Sequence, residues 1–151
     1  MALEDDIRTL SGVKLFESFT REQIRLVAFG SENLEVPAGR EIYREGAEGD
    51  CAFVIASGTV DLVHDRDGKR VVLGKAEVGE ILGELALITP TERLTGAVAQ
   101  DDTVLIRINR QFFRRVLEEY PETTAMLHDQ ISRNFQSMVE KIETLARHFS
   151  A

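Results

Sequence analysis

Residues 79 to 95 read Gly-Glu-Ile-Leu-Gly-Glu-Leu-Ala-Leu-Ile-Thr-Pro-Thr-Glu-Arg-Leu-Thr. This run can meet the demands of a small anion that carries a hydroxyl beside its charge. Backbone N–H groups at the start of a short helix point at an anion and carry the positive end of the dipole. Gly83 lets that backbone approach closely. Arg93 adds a fork of charged donors, and Glu84 offers a carboxylate that accepts from a hydroxyl. The amides around Leu85 and Ala86 complete the set. The competing reading is an ion pair between Glu84 and Arg93 that holds the turn and binds nothing, since a buried arginine without a partner is costly.

Such a run must be held between strands, and the flanking sequence supplies them. From about Asn33 to Asn109 the chain is cut by turn signals at Pro37-Ala-Gly39, Glu45-Gly46, Glu48-Gly49-Asp50 and Ser57-Gly58. Val60, Leu62 and His64 alternate with Thr59, Asp61 and Val63. Asp65-Arg-Asp-Gly68 makes a hairpin, Val71 to Leu73 returns, and 96–99 and 103–108 add further strands. Short strands with evenly spaced turns predict an α+β fold built on a jelly-roll-like β-barrel, or β-roll, over residues 31–109. Residues 1–30 are predicted as N-terminal helices. Thr20 and Gln23 have capping-box spacing, Ile24, Val27 and Ala28 form a stripe, and Leu15, Phe16 and Phe19 belong to the core.

Residues 110–151 return to helix. Asn109 caps a segment carrying Phe112, Phe113, Val116 and Leu117. Tyr120-Pro121 breaks it, and Pro121 opens a second, longer helix with Glu122 near its positive end. Along that helix Ile131, Phe135, Met138, Ile142, Leu145 and Phe149 step by four and three in turn, the a/d seam of a short coiled coil. The seam predicts a homodimer through this helix. The alternative is a stripe docked on the chain's own barrel.

Composition narrows the function classes. The 151 residues are 43% hydrophobic and 29% charged, ordinary for one soluble globular domain. No apolar run approaches the roughly 20 residues of a membrane span, and the acidic start lacks the basic and apolar regions of a signal peptide. A cytoplasmic location with no membrane partner is expected. Cys51 is the only cysteine and reads as a buried small hydrophobe. A net charge of −8 works against duplex binding, which gains affinity by neutralising phosphates. The cluster Arg107, Arg110, Arg114 and Arg115 therefore reads as a solvated face, and no nucleic-acid partner is expected. His64, His128 and His148 lie far apart, which argues against a jelly-roll metalloenzyme with clustered histidine ligands. A haem sensor on the same frame would need His64 or Cys51 as an axial ligand. No metal, cofactor or catalytic residue is expected.

The segment resembles the phosphate-binding cassette of the cyclic-nucleotide-binding domain family. That family includes the regulatory subunits of cyclic-AMP-dependent kinase and the bacterial catabolite-activator regulators. Gly83-Glu-Leu-Ala-Leu87 matches the family's core, Arg93 stands at the spacing of the kinase subunits, and Gly46, Gly49, Gly58 and Gly79 match its ordered glycines. The likeness covers nearly the whole chain as one domain: opening helices, a roll with its cassette at 79–95, and lid and dimer helices at 110–151. It implies that Arg93 pairs with the cyclic phosphate and that Glu84 accepts from the ribose 2′-hydroxyl. Amides near Gly83, Leu85, Ala86 and Leu94 would complete the shell before Thr95 closes the segment.

The resemblance also implies that the long helix lies over the base, with Phe135, Met138 and Val139 as the covering side chains. Leu94 departs from the small or hydroxylated residue usual after the arginine. A threonine there favours guanine in the family, so leucine tilts the expectation toward cyclic AMP over cyclic GMP. Leu82 replaces a common phenylalanine. Ala151 falls about where the activators continue into a helix-turn-helix, so the expectation is a sensor module without one, acting on an effector protein. The alternative is a domain of the same shape that has lost its ligand and serves as a dimeric scaffold.

Overall fold

Reciprocal hydrogen bonds between Thr20 and Gln23 start the second helix, as their spacing predicts. Thr20 Oγ accepts from the Gln23 N–H at 3.2 Å, and Gln23 Oε1 accepts from the Thr20 N–H at 2.9 Å. The computed structural model describes residues 2–149, and the side-chain surroundings of 3–144. It opens with α1 (Ala2–Ser11), a 3-10 turn (Lys14–Phe16) and α2 (Arg21–Gly30). Asn109 caps α3 (Arg110–Leu117) by accepting from the N–H groups of Gln111 and Phe112 at 2.9 and 3.3 Å. Pro121 then stands first in α4 (Pro121–Phe149), where its missing N–H costs nothing.

Between the helical ends run ten antiparallel strands. They are β1 (Glu32–Val36), β2 (Glu41–Tyr43), β3 (Glu48–Gly49), β4 (Cys51–Ser57), β5 (Val60–Arg66), β6 (Lys69–Ala76), β7 (Ile81–Leu82), β8 (Thr91–Glu92), β9 (Gly96–Ala99) and β10 (Thr103–Asn109). One sheet has the order β1-β10-β4-β7, a second β2-β9-β5-β6, and β3 pairs with β8 alone. Two four-stranded sheets with helices at both chain ends make the jelly-roll expected from the spacing of the turns. The 79–95 segment leaves β4's neighbour β7 and returns into β9, so its ends are held by both sheets.

The run Cys51-Ala-Phe-Val-Ile55 is buried throughout because both faces of β4 are covered. Ala52 and Val54 face the helices and join Phe16, Phe19, Val27, Phe113, Leu127 and Ile131. Cys51, Phe53 and Ile55 face the second sheet and join Val60, Ala76, Ala97 and Leu105. Phe16, Phe19 and Phe113 form an aromatic trio with centroids 5.0 to 6.3 Å apart. Each ring withdrawn from water contributes about 1.5–3 kcal/mol. The expected core role of Leu15, Phe16 and Phe19 holds, and Cys51 is buried as read from its neighbours.

Two expectations need correction. The alternation from Thr59 to His64 does not divide cleanly into a buried and an open face: β5 keeps an unbroken register against β9, while β6 takes up one extra residue opposite Leu62 and Val63. Val60 is buried, but Val63 on the opposite face is buried as well, and His64 is half-buried with its Nδ1 2.8 Å from Glu45 Oε2. The apolar stripe of α4 is also divided. Ile131 is fully buried in the chain's own core, Phe135 and Met138 face the roll, and Ile142 is half-buried. The side chains of Leu145 and Phe149 lie outside the described residues.

Candidate functional site

The candidate segment folds around Gly83. This residue holds φ +71°, ψ 33° and caps a 3-10 helix over Glu84–Leu87. Its left-handed backbone turns the chain abruptly out of β7. The Ala86 N–H closes the helix onto the Gly83 carbonyl at 3.1 Å, so Glu84 and Leu85 carry the first-turn donors. The expected amide of Ala86 is thus occupied within the turn.

Arg93 reaches back to this helix from the other end of the segment. Its backbone is pinned on both sides: its N–H donates to the Ala47 carbonyl and its carbonyl accepts from the Gly46 N–H, both at 2.8 Å. The side chain is only 7% exposed. Nη2 donates to the Cys51 carbonyl at 2.7 Å and lies 3.5 Å from Cys51 Sγ. The guanidinium lies 4.5 Å from the centre of the Tyr43 ring and 5.9 Å from that of Phe53, a cation between two π faces. Gly49 runs beneath it, and a Cβ there would fall 2.8 Å from Cζ. Nη1, turned toward Gly83, is buried without a hydrogen-bond partner.

Glu84 stands across the segment, and no ion pair joins it to Arg93 among the described residues. Its Oε2 accepts from Asn134 Nδ2 of α4 at 3.4 Å. Burial pushes the Glu84 carboxyl above the ordinary carboxylate range, and Asn134 offsets part of that rise. Burial likewise pushes the Tyr43 hydroxyl up to about 12, against the opposing influence of Arg93 and a hydrogen bond with Thr95. Tyr43 is therefore a neutral phenol at physiological pH. The Cys51 thiol is raised by burial as well.

These groups surround a cavity of about 230 Å³. Gly83, Glu84, Leu85, Ala86, Arg93, Leu94 and Thr95 all line it, together with Tyr43 and Leu62 from the sheets. Phe135 and Met138 close it from α4, whereas Val139 is half-buried elsewhere on the helix and does not line it. A second crevice of about 320 Å³ shares Leu62, Glu80, Thr95 and Met138 with the first and continues past Ser137 and Lys141. Sequence reasoning missed Tyr43, Asn134, Ser137 and Lys141. The periodicity of α4 marked its apolar stripe and passed over the polar side chains beside it. Tyr43 carried no local signal at all.

An unpaired buried cation asks for an anion, and a carboxylate displaced from it asks for a donor such as a hydroxyl. Comparison with known proteins answers in the same terms. The family model for the cyclic nucleotide-binding domain matches residues 33–120. A cyclic nucleotide-binding-like protein from Brucella abortus is 57% identical with a TM-score of 0.70, covering 76% of this chain and 98% of its own. The regulatory domain of Toxoplasma gondii PKA, solved with cAMP, is 25% identical with a TM-score of 0.69, covering 76% of this chain and 44% of its own. The lysophospholipase NTE1 of Chaetomium globosum is 31% identical over 120 residues, which are 79% of this chain and 8% of that enzyme. The chain thus spans less than a tenth of the length of the curated relatives it matches. Among the described residues no helix is long and apolar enough to cross a membrane. With the anion pocket, the two-sheet roll and the family match in agreement, the chain belongs to the cyclic nucleotide-binding domain family.

Proposed function

We propose that this domain is a non-catalytic sensor that takes cyclic AMP in preference to cyclic GMP and passes occupancy to an effector protein through α4. The carrying observation is Arg93: a side chain 7% exposed whose Nη1 has no partner beside the backbone of Gly83. A cyclic phosphate would take that nitrogen and the amides of the first 3-10 turn. Glu84 would accept from the ribose 2′-hydroxyl, and Leu94, Phe135 and Met138 would cover the base with apolar surface. The preference for adenine rests on Leu94, which brings no hydroxyl to the base. Titration calorimetry with both nucleotides is the direct test. One-to-one binding with cyclic AMP tighter is expected, while silence toward both would leave a ligand-free scaffold.

Glu84 supports two readouts. A 2′-deoxy cyclic nucleotide should bind worse than its parent to the natural protein, and the difference should shrink in Glu84→Ala. A full deoxy penalty in both proteins would place hydroxyl recognition elsewhere. In pH terms, a raised carboxyl binds its proton more tightly in the fold than in the unfolded chain, so ionising it lowers stability as pH rises. A hydroxyl donated to the carboxylate favours the ionised form. Ligand binding should therefore release a proton at pH values above the ordinary carboxylate range and tighten as pH rises through the shifted titration. Calorimetry in buffers of different ionisation enthalpy measures that proton, and Glu84→Gln should abolish it.

The distal half of α4 supports self-association. Ile142 is half-buried, and Leu145 and Phe149 continue its stripe in the sequence. A two-fold helix pair would cover these positions. Light scattering should give a dimer for the natural chain and a weakened dimer or monomer for Ile142→Asp. A natural chain that stays monomeric at every accessible concentration would remove the pairing.

A further inference from the structure

Arg110 was expected on a solvated face with Arg107, Arg114 and Arg115, and the last two are exposed there. Arg110 itself is half-buried and turns inward. Its Nη1 faces three carbonyl oxygens from two separate segments: Gly49 at 2.9 Å, and Ala86 and Thr89 both at 3.3 Å. Its backbone N–H donates to the Asp50 carbonyl at 2.8 Å. We propose that Arg110 is a positioning residue for the anion site, holding Arg93 and the 3-10 helix in place from outside the cavity.

Each contact bears on one wall of that site. Gly49 is the residue on which the Arg93 guanidinium rests, with a hypothetical Cβ 2.8 to 3.0 Å from Cζ, Nε and Nη1. A shift of the Gly49 backbone therefore moves the guanidinium directly. Ala86 closes the first turn of the 3-10 helix through its N–H, and the Thr89 N–H turns to the Leu85 carbonyl at 3.2 Å. The Ala86 and Thr89 carbonyls at the far end of that helix converge on Arg110. A cation at the negative end of a short helix stabilises it and fixes where its opposite end points. The same nitrogen thereby ties β3 to the end of the helix. Arg110 does not line the cavity, so its effect on a ligand must pass through Arg93 and the helix.

The inference rests on the nucleotide-binding reading above, and a double-mutant cycle separates the two. Cyclic AMP titrations, carried to millimolar ligand, would compare the natural chain, Arg110→Met, Arg93→Ala and the double variant. Arg110→Met should weaken binding at least tenfold in the natural background. In Arg93→Ala the same change should cost clearly less than in the natural background, because one of the two groups it positions is gone and only the helix contacts remain. Equal losses in both backgrounds would mark Arg110 as a general fold stabiliser and overturn the proposal. If the Met variant does not fold, Arg110→Gln keeps one amide donor beneath the carbonyls and should show a smaller loss with the same dependence on Arg93. Natural affinity in a folded Arg110 variant overturns the proposal alone. A natural chain silent to both cyclic AMP and cyclic GMP overturns the functional reading beneath it.

Discussion

Arg93→Ala should weaken cyclic AMP binding by at least about tenfold and leave the melting temperature of the ligand-free domain near its natural value. A hydrogen bond from a charged donor contributes about 1.5–3 kcal/mol, and 1.4 kcal/mol is one decade of affinity. One bond from Nη1 to a phosphate oxygen already reaches the tenfold mark. Stability changes little because two effects oppose each other. The bond from Nη2 to the Cys51 carbonyl is lost, and with it the contact on the Tyr43 ring. The burial of an unpaired charged nitrogen is relieved at the same time. Arg93→Lys should recover only part of the affinity, since an ammonium lacks the planar fork that spans Cys51 and the anion together. Calorimetry and thermal melting measure both quantities. A folded Arg93→Ala variant with natural affinity would remove the arginine from the site.

Gly83→Ala should approach the same loss of affinity by adding a single carbon. Gly83 sits at φ +71°, where an L side chain costs about 1–2 kcal/mol. The larger consequence is spatial, because a Cβ there would overlap Arg93 Nη1 and push the guanidinium off its place. Gly39 provides the control. It also holds a positive φ, yet nothing lies within 4 Å of its hypothetical Cβ. Gly39→Ala should therefore show the backbone strain as a lower melting temperature and leave nucleotide affinity unchanged. Equal affinities in the two variants would mean that crowding at Arg93 does not govern the anion site.

Local signals in the sequence were read well where the physics itself is local. A hydroxyl three residues before an amide, an asparagine before an amphipathic segment and a proline after a tyrosine each act over one turn, and Thr20, Asn109 and Pro121 all stand where expected. The segment around Gly83, Glu84 and Arg93 was legible because its chemistry is contiguous. Contacts between distant residues were not legible. Tyr43 lies fifty positions before Arg93, and no spacing rule joins an aromatic ring to a cation across a barrel. Arg110 misled because Arg107 lies on β10, and helical spacing spreads the other three arginines around α3 without saying which side meets the carbonyls of another segment. The burial of Val63, on the face of β5 opposite Val60, was not legible either, since alternation does not say which loops cover the outer face of a strand. In α4 the sequence marked the stripe, but the division between core, cavity and distal helix depends on where the roll ends.

The hairpin of β5 and β6 offers a handle for engineering. Asp67 and Gly68 form its two-residue turn at φ 50° and 79°, both exposed, while Leu62 and Ala76 near its base line the cavity. Four residues of strand at about 3.3 Å each set the turn roughly 13 Å beyond Leu62. Exposed turns of this kind accept inserted sequence with little damage to the fold they cap. A fluorescent reporter spliced between Asp67 and Gly68 would stand clear of the nucleotide yet be mounted on the same strands that wall it in. The domain could in this way be converted into an optical gauge of its own ligand without altering any residue of the pocket.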